Sequence, residues 1–431
     1  MKQSNQTRAS LCRASSVLFA VLLLVGCRTR RSSPFIGLSP QQSRALVQQL
    51  ALRRDQELQA DLRSAFASHP PQSILILSGG DAHGAFGCGI LSGWRNAPGG
   101  RPKFDVVTGV STGALIAAFA FLGEEQDDAT LREVYTTIRD KDVFDLLNFE
   151  PPNSVFGTAP LKRLIAKHVT PRVFRRVAAA HREGRRLYVT TVELESGAVC
   201  IWPLSKIAFD SVHPSSTSIS TADPAADPGE AGEIDPAGLE RFRKILLGAA
   251  AIPFFFPPVE IDGGLHSDAG LREAISLRLF MLGLDRAADV ASGKPSTGQN
   301  TTDKPATGNS PPTVWAILNG KLRSPPEPVG NNLLSLGPRS LEIYNETVVI
   351  LSLRDAAHVA ATHNPPFQFR WLSEPDELDT GPGPGLFHPM FDPVVMKRLY
   401  MAGQPLGQAG APAWKHGPPP LDADHLDPQD Q

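Results

Sequence analysis

The 431-residue sequence is poor in cysteine, has no large excess of either charge and contains no C-x-x-C or H-E-x-x-H segment. With only four cysteines and neither of those segments, it gives no support for a metal site, and we expect no cofactor. Lysine and arginine total 42 against 44 aspartate and glutamate, for a formal net charge of −2. This balance gives no support for nucleic-acid binding. The hydrophobic fraction of 41% allows a sizeable core.

Residues 1–26 differ from the rest and are typical of a signal peptide. The apolar run 17–25 is shorter than the roughly 20 residues that span a bilayer, so an uncleaved anchor is the weaker alternative. Ordinary secretion is another. Three basic residues and no acidic ones precede the run: Lys2, Arg8 and Arg13.

The run ends in Leu24-Val25-Gly26-Cys27, which resembles the lipobox of bacterial lipoproteins. The resemblance implies cleavage before Cys27, acylation of that cysteine and attachment to a membrane of the cell envelope. Arg28 follows where enterobacterial lipoproteins kept in the inner membrane typically carry aspartate, which favours the outer membrane. Cys88 and Cys200 then remain, either as one disulfide or as two buried thiols.

The next residues predict a tether, 27–38, and an N-terminal helical segment, 39–72. Ser39 is a good N-cap, followed by proline at the first helical position and glutamine three residues after the serine. We expect this helix to reach about Ala67.

The main domain is predicted over 73–402. Two stretches within it, near 212–236 and 287–312, are rich in Ser, Thr, Gly, Pro and Asp and predict mobile surface insertions. A similar composition predicts a disordered tail over 403–431.

Short apolar runs alternate with helical segments through the domain. This pattern predicts a mostly parallel sheet covered by helices on both faces, a three-layer α/β/α fold. The predicted strands are 74–77, 106–108, 187–193, 198–203, 313–318 and 348–353. The predicted helices are 85–94, 114–121, 159–168, 239–248 and 272–284.

A G-x-S-x-G segment, Gly109 to Gly113, stands between a predicted strand and a predicted helix. Such a nucleophile elbow holds its serine in a strained conformation, and the two glycines relieve contact between strand and helix. The hydroxyl lies at a helix N-terminus, where the dipole favours negative charge. We therefore predict Ser111 as a nucleophile; the alternative is a tight turn that merely needs small residues.

A serine hydroxyl needs a base to accept its proton. In an α/β-hydrolase the base would be a histidine, and His358, His363 and His388 are the candidates, although none lies in a convincing motif. Two aspartates, Asp262 and Asp268, are the other candidates.

Three segments together resemble the patatin-like phospholipases. They are the glycine loop Gly79 to Gly84 after the first strand, the Ser111 elbow, and Asp268-Ala269-Gly270 after the Ile-Pro and Phe-Pro-Pro of 252–258. The resemblance covers roughly 73–402. It implies a Ser111–Asp268 dyad without histidine, an acyl-enzyme intermediate and a lipid or phospholipid ester as substrate.

Ala269 departs from the family, whose motif has glycine at this position. The earlier Asp262-Gly263-Gly264 fits the bare pattern better and keeps Asp262 as an alternative base. Its other interpretation is a β-turn aspartate between two short strands.

In the family, the amides of a Gly-Gly-Gly-x-Arg-Gly loop form the oxyanion hole, which implies that role for Gly79, Gly80 and Asp81. A dinucleotide-binding loop would need glycine at position 81, where a carboxylate would oppose a pyrophosphate. We expect Asp81 to point away from the site, and His83 stands where the family has arginine.

These features predict a membrane-tethered serine acyl hydrolase acting on lipid esters. One alternative is a patatin-like fold that has lost catalysis and serves as an envelope binding protein, motivated by the altered loop and Ala269. Another is acyl transfer to an acceptor other than water, using the same residues. Nothing in the sequence indicates an oligomeric state.

Overall fold

A computed structural model describes residues 33–66, 70–145, 154, 156–213, 232–282, 311–324, 326, 328–331, 333–379 and 389–420. The expected signal peptide, Cys27 and most of both expected insertions lie outside these residues. In the part that is described, no helix combines the length and apolar character needed to cross a membrane.

A nine-stranded sheet forms the centre of the fold. The eleven strands of the described residues, nine in this sheet and two in a separate pair, are β1 Ser73–Leu77, β2 Val106–Gly109, β3 Arg186–Glu193, β4 Ala198–Pro203, β5 Val212–His213, β6 Glu233–Ile234, β7 Val259–Ile261, β8 Gly264–Asp268, β9 Thr313–Ile317, β10 Gln368–Leu372 and β11 Lys415–His416. The sheet order is β11-β10-β9-β1-β2-β3-β8-β7, with β4 also paired to β3, while β5 and β6 pair separately. The strands from β10 to β3 run parallel, and β4, β8, β7 and β11 pair antiparallel with their neighbours.

Helices cover both faces of this sheet. They are α1 Pro40–Ala65, α2 Gly84–Arg95, α3 Thr112–Leu122, α4 Glu125–Thr137, α5 Asp140–Val143, α6 Ala159–His168, α7 Pro171–Arg182, α8 Leu204–Asp210, α9 Pro236–Ala249, α10 Leu333–Thr362 and α11 Pro393–Ala409. Alternate residues of β1 enter two different cores: Leu75 and Leu77 pack with residues of α2, α3, α9 and α11, while Ile74 and Ile76 pack with residues of α1 and α10. The predicted three-layer fold is confirmed.

The start of α1 is as predicted. Ser39 Oγ accepts a hydrogen bond from the Gln42 amide at 3.3 Å, and Gln42 Oε1 accepts one from the Ser39 amide at 2.8 Å. These bonds satisfy donors that a helix N-terminus leaves free. The helix ends at Ala65 and buries Leu58 and Leu62.

Two predicted elements are wrong. The strand expected at 348–353 lies inside α10, where Ile350 and Leu353 join Ala357 and Ala360 on a buried face at helical spacing. The helix expected at 272–284 is, as far as the described residue 282, irregular chain with a 3₁₀ turn at Leu279–Leu282. A backbone group of this segment is hydrogen-bonded outside it, because the Ser276 carbonyl accepts a hydrogen bond from Thr108 Oγ1 at 2.6 Å.

The expected disordered tail is also wrong as far as residue 420. Residues 403–409 continue α11, and β11 adds to β10 at the sheet edge. Gly403 and Gly407 lie directly against α2, where a β-carbon on either would overlap the backbone carbonyls of Phe86 and Ile90. The glycines therefore permit close helix packing, which composition alone does not distinguish from disorder.

Candidate active site

Strand β3 brings Ser111 and Asp268 together. β4 pairs with one edge of β3, so β2 and β8 share the other edge. β2 ends where Gly109 pairs with Val189, and β8 ends where Asp268 pairs with Thr191, two residues further along β3. The end of β8 therefore lies beside the turn that follows β2, and Ser111 is in that turn.

The Ser111 turn has the geometry of a nucleophile elbow. Ser111 has φ 54° and ψ −125°, a conformation that L-residues rarely adopt, and α3 begins at the next residue. A β-carbon at Gly109 would overlap the Gly113 carbonyl, and one at Gly113 would lie 2.5 Å from the carbonyl oxygens of Leu77 and Ser78. Both glycines are required by close backbone contact, and they hold Ser111 in place.

Asp268 is a buried carboxyl group with a raised pKa. It is 4% exposed, and its Oδ1 accepts a hydrogen bond from the Gly270 amide at 2.8 Å. Burial raises the pKa of Asp268 to about 7, and the negative charge of Asp81 adds to this, while hydrogen bonds from the Ser111 hydroxyl and Gly270 lower it. A carboxylate with a pKa near neutrality is suited to accept a proton from a hydroxyl.

The glycine loop lies directly against Ser111. A β-carbon at Gly79 would be 3.0 Å from Ser111 Cβ. The Gly79 amide donates to the Ala274 carbonyl at 3.3 Å, so the first of the three expected oxyanion donors is already engaged. For the Gly80 and Asp81 amides, the described residues provide no backbone or side-chain acceptor.

Asn319, two residues after the end of β9, supports this loop. Its amide donates to Ser78 Oγ at 2.8 Å, and its Nδ2 donates to the Ser78 carbonyl at 2.7 Å. Gly80 has φ 144°, and a β-carbon there would overlap the Asn319 carbonyl. The sequence interpretation missed Asn319, although its place after a predicted parallel strand was a usable signal.

Glu374, just beyond β10, is the second support. Its side chain is fully buried, and its two carboxylate oxygens lie 2.8 and 3.0 Å from His83 Nδ1. Burial lowers the pKa of His83, but the hydrogen bond and charge of Glu374, together with the charge of Asp81, outweigh burial and leave the pKa raised. The raised pKa favours the cationic form of His83, which stands where the family that the sequence resembles has arginine.

The expectation that Asp81 points away from the site is wrong, because Asp81 lines the same cavity as Ser111. Asp81 has φ 48° and begins the 3₁₀ turn Asp81–His83. The charge of Asp81 acts on the pKa of Asp268 and of Tyr135, which also lines the cavity. Burial raises the pKa of Asp81, and the positive charge of His83 opposes this shift.

The cavity itself is almost entirely apolar. Helices α3, α4 and α6 supply most of its wall, and Leu246 of α9, the loop residues Ala250, Ile252 and Phe256, and Phe391 contribute to the rest. Its polar lining residues are Asp81, Ser111, Thr112, Thr130, Tyr135 and His168.

The other candidate bases lie elsewhere. Asp262 is in the turn between β7 and β8, as its β-turn interpretation has it, with its side chain 48% exposed and paired with Arg241 at 2.7 Å. His363 Nδ1 is 2.8 Å from the Pro365 carbonyl, and His358 lies in α10. Neither histidine lines the cavity, and His388 is outside the described residues. Cys88 and Cys200 are free and buried.

The chain was compared with known proteins. The crystal structure of VipD from Legionella pneumophila matches with 11% sequence identity and a TM-score of 0.38, covering 81% of this chain and 68% of VipD. The search of curated proteins gave no match. The family model described as patatin-like phospholipase matches residues 75–281, a range that contains the glycine loop, the Ser111 elbow and Asp268. Residues 75–281 therefore belong to the patatin-like phospholipase family, as the sequence motifs predicted.

Proposed function

We propose that this protein hydrolyses lipid esters with Ser111 as nucleophile and Asp268 as base. The family supports a lipid hydrolase in general terms. The observation that carries the specific proposal is the interaction of the Ser111 hydroxyl with a buried carboxylate beside an apolar cavity. An apolar wall suits an acyl chain, and the reacting groups suit its ester carbonyl.

In the proposed reaction, Ser111 Oγ attacks the ester carbonyl carbon while Asp268 takes the hydroxyl proton. The tetrahedral oxyanion collapses, the alcohol leaves with the proton from Asp268, and an acyl-Ser111 ester remains. Water then attacks this ester, Asp268 accepts the proton of the water and returns it to Ser111 Oγ, and the carboxylic acid is released.

The amides of Gly80 and Asp81 are the proposed oxyanion donors, since Gly79 donates to Ala274. The Asp81 side chain would oppose a developing negative charge if it were ionised. Its burial raises its pKa, which reduces the negative charge that Asp81 carries at a given pH. Losing one oxyanion donor typically lowers the rate on the order of 100- to 1,000-fold.

Two other activities use the same site. A fold that has lost catalysis and binds a lipid is favoured by one observation, the Asp81 carboxyl in the cavity. Acyl transfer would follow the same steps with another hydroxyl in place of water.

We also propose that Cys27 attaches the protein to the bacterial cell envelope. The motivation is the lipobox-like Leu24-Val25-Gly26-Cys27 segment. Mass spectrometry of the N-terminal peptide should show an acylated Cys27, and Cys27→Ser should move the protein out of the membrane fraction. An unmodified Cys27 in membrane-bound protein would overturn the proposal.

The experiment for the hydrolase proposal is turnover of a short dissolved ester and of a phospholipid by the purified chain. Ser111→Ala and Asp268→Asn should each lose at least about 1,000-fold in kcat. Asp262→Asn is the matched control, because it removes an exposed carboxylate of the same segment, and it should keep wild-type turnover. Full activity in Ser111→Ala or Asp268→Asn would refute the dyad.

The role of the cavity is tested by filling it. Val134→Trp places a large ring in the wall and should reduce turnover of long-chain esters more than that of short-chain esters. Leu351→Trp, at an exposed position of α10, is the control for the tryptophan itself. An equal effect on both chain lengths would argue against an acyl-binding cavity.

A further inference from the structure

Phe254 is an aromatic side chain on the outside of the molecule. It is 74% exposed, more than any other large apolar side chain of the described residues. Its backbone has φ 69°, a left-handed conformation that is uncommon outside glycine. A strained backbone persists only where the surrounding structure holds it, and such strain often accompanies function.

The chain around Phe254 is continuous with the wall of the cavity. Ile252 and Phe256, two residues to either side, both line it. The segment is anchored from behind, because the Phe255 carbonyl accepts a hydrogen bond from the Phe156 amide at 2.9 Å and the Phe256 ring stacks on Phe144 at 5.3 Å. A fixed support therefore holds the Phe254 ring in solvent beside the cavity.

The composition of the segment around Phe254 indicates which kind of surface the ring contacts. Residues 250–258 read Ala-Ala-Ile-Pro-Phe-Phe-Phe-Pro-Pro and contain no charged or polar side chain. A stable protein interface generally needs more than about 1,000 Å² with polar groups at its rim, which a single projecting ring does not supply. An aromatic ring on an uncharged segment is instead suited to the boundary between lipid head groups and acyl chains.

We propose that Phe254 inserts into the surface of a lipid bilayer and sets the cavity against it. This inference rests on the proposed lipid hydrolysis and adds the surface through which the substrate arrives. An acyl chain would then pass from the bilayer towards Ser111 along apolar side chains, with little exposure to water.

Insertion is measured directly with a tryptophan at position 254. The full chain with Ser111→Ala and Phe254→Trp is mixed with phosphatidylcholine vesicles whose acyl chains carry bromine, a quencher of tryptophan fluorescence. Leu351→Trp in the same Ser111→Ala chain is the control. Leu351 is 61% exposed on α10, and α10 packs in the core that contains Ile74 and Ile76, on the other face of the sheet from the cavity. Both variants share the same N-terminus, so any difference reports on position alone.

We expect additional quenching for Phe254→Trp and none for Leu351→Trp, relative to Ser111→Ala alone. Equal quenching of the two variants, or none in either, would overturn the proposal and leave a protein partner as the other occupant. The quenching experiment requires no substrate turnover by the Ser111→Ala chain, so its result is independent of whether the hydrolase proposal is correct.

A second measurement uses the active chain. Phe254→Ser should lower the rate on phospholipid vesicles about tenfold and leave the rate on a dissolved short ester unchanged. Phe254→Gly, which fits φ 69° without strain, serves the same purpose if the serine variant folds poorly. A ratio of vesicle rate to dissolved-ester rate in Phe254→Ser equal to that of the wild type would contradict the proposal. If the wild type itself turned over neither substrate, the hydrolase function would be refuted instead.

Discussion

Gly80 lies so close to Asn319 that a β-carbon on residue 80 would overlap the Asn319 carbonyl oxygen. Gly80→Ala should therefore shift the glycine loop, whose Gly80 and Asp81 amides are the proposed oxyanion donors, and lower kcat by about 100-fold or more. Gly99→Ala is the matched control, because Gly99 also has a positive φ, 87°, but has open space where the β-carbon would be. If both variants turned over at the same rate, the loop would not depend on this contact.

The pH dependence of turnover should report the ionisation of Asp268. The base must be deprotonated, so kcat/KM should rise with pH and level off above about 7, the raised pKa of Asp268. A profile of kcat/KM between pH 5 and 9 measures this. A profile that is flat across this range, as expected for a pKa near 4, would show that the base is not a buried carboxyl group.

Asp81→Asn should move that profile. The negative charge of Asp81 raises the pKa of Asp268, so its removal lowers that pKa and shifts the rising limb to lower pH. The amide also cannot ionise near the oxyanion, so activity should be retained or increased. An inactive Asp81→Asn with an intact fold would show that the carboxyl group itself is required.

Glu374→Gln should weaken the support of the loop through His83. Losing the negative charge lowers the pKa of His83, so its cationic form, present below that pKa, is lost at a lower pH than in the wild type. Lys321 also lowers this pKa, and Asp81 raises it.

We expect kcat of Glu374→Gln to fall about 10- to 100-fold at the higher of two pH values and less at the lower one, where His83 is protonated in both proteins. Glu377→Gln, an exposed neighbour, is the control. The same loss at both pH values would indicate a structural role unrelated to the charge of His83.

Asp268→Asn should stabilise the fold while abolishing activity. The folded pKa of about 7 lies above the reference value of 3.8, so the folded state binds the proton more tightly and wild-type stability falls as pH rises from about 4 to 7. A neutral asparagine avoids this loss, which amounts to about 4 kcal/mol at most at pH 8. Unfolding of both proteins at pH 5 and pH 8 should show the difference growing with pH; equal stability at pH 8 would contradict the buried charge.

Local sequence was sufficient for the parts of the site that are local. The Ser39 cap and the Ser111 elbow follow from residue spacing within one turn, and both are present. The pairing of Ser111 with Asp268 came from resemblance to the family, because only the antiparallel return of β8 along β3 brings them together.

Contacts that depend on the order of the sheet were not predictable. Glu374 supports the loop only because β9 and β10 lie on the side of β1 opposite to β2, which places the end of β10 near the loop that follows β1. The apolar run of β10 is too short to identify it as a strand from sequence. The left-handed backbone of Asp81 and its place beside the cavity are not revealed by composition. The composition around Gly403 and Gly407 predicts disorder. Close helix packing selects the same residue type, so composition does not separate the two cases.

The central claim is that Asp268 activates Ser111, and covalent labelling by a fluorophosphonate tests it most directly. This probe reacts with activated serines and needs no knowledge of the substrate. The folded wild type should be labelled, with the adduct on Ser111 in the peptide mass spectrum, and Asp262→Asn should react at the same rate. Asp268→Asn should react at least about 1,000-fold more slowly. An unlabelled wild type, or wild-type labelling of Asp268→Asn, would contradict the claim.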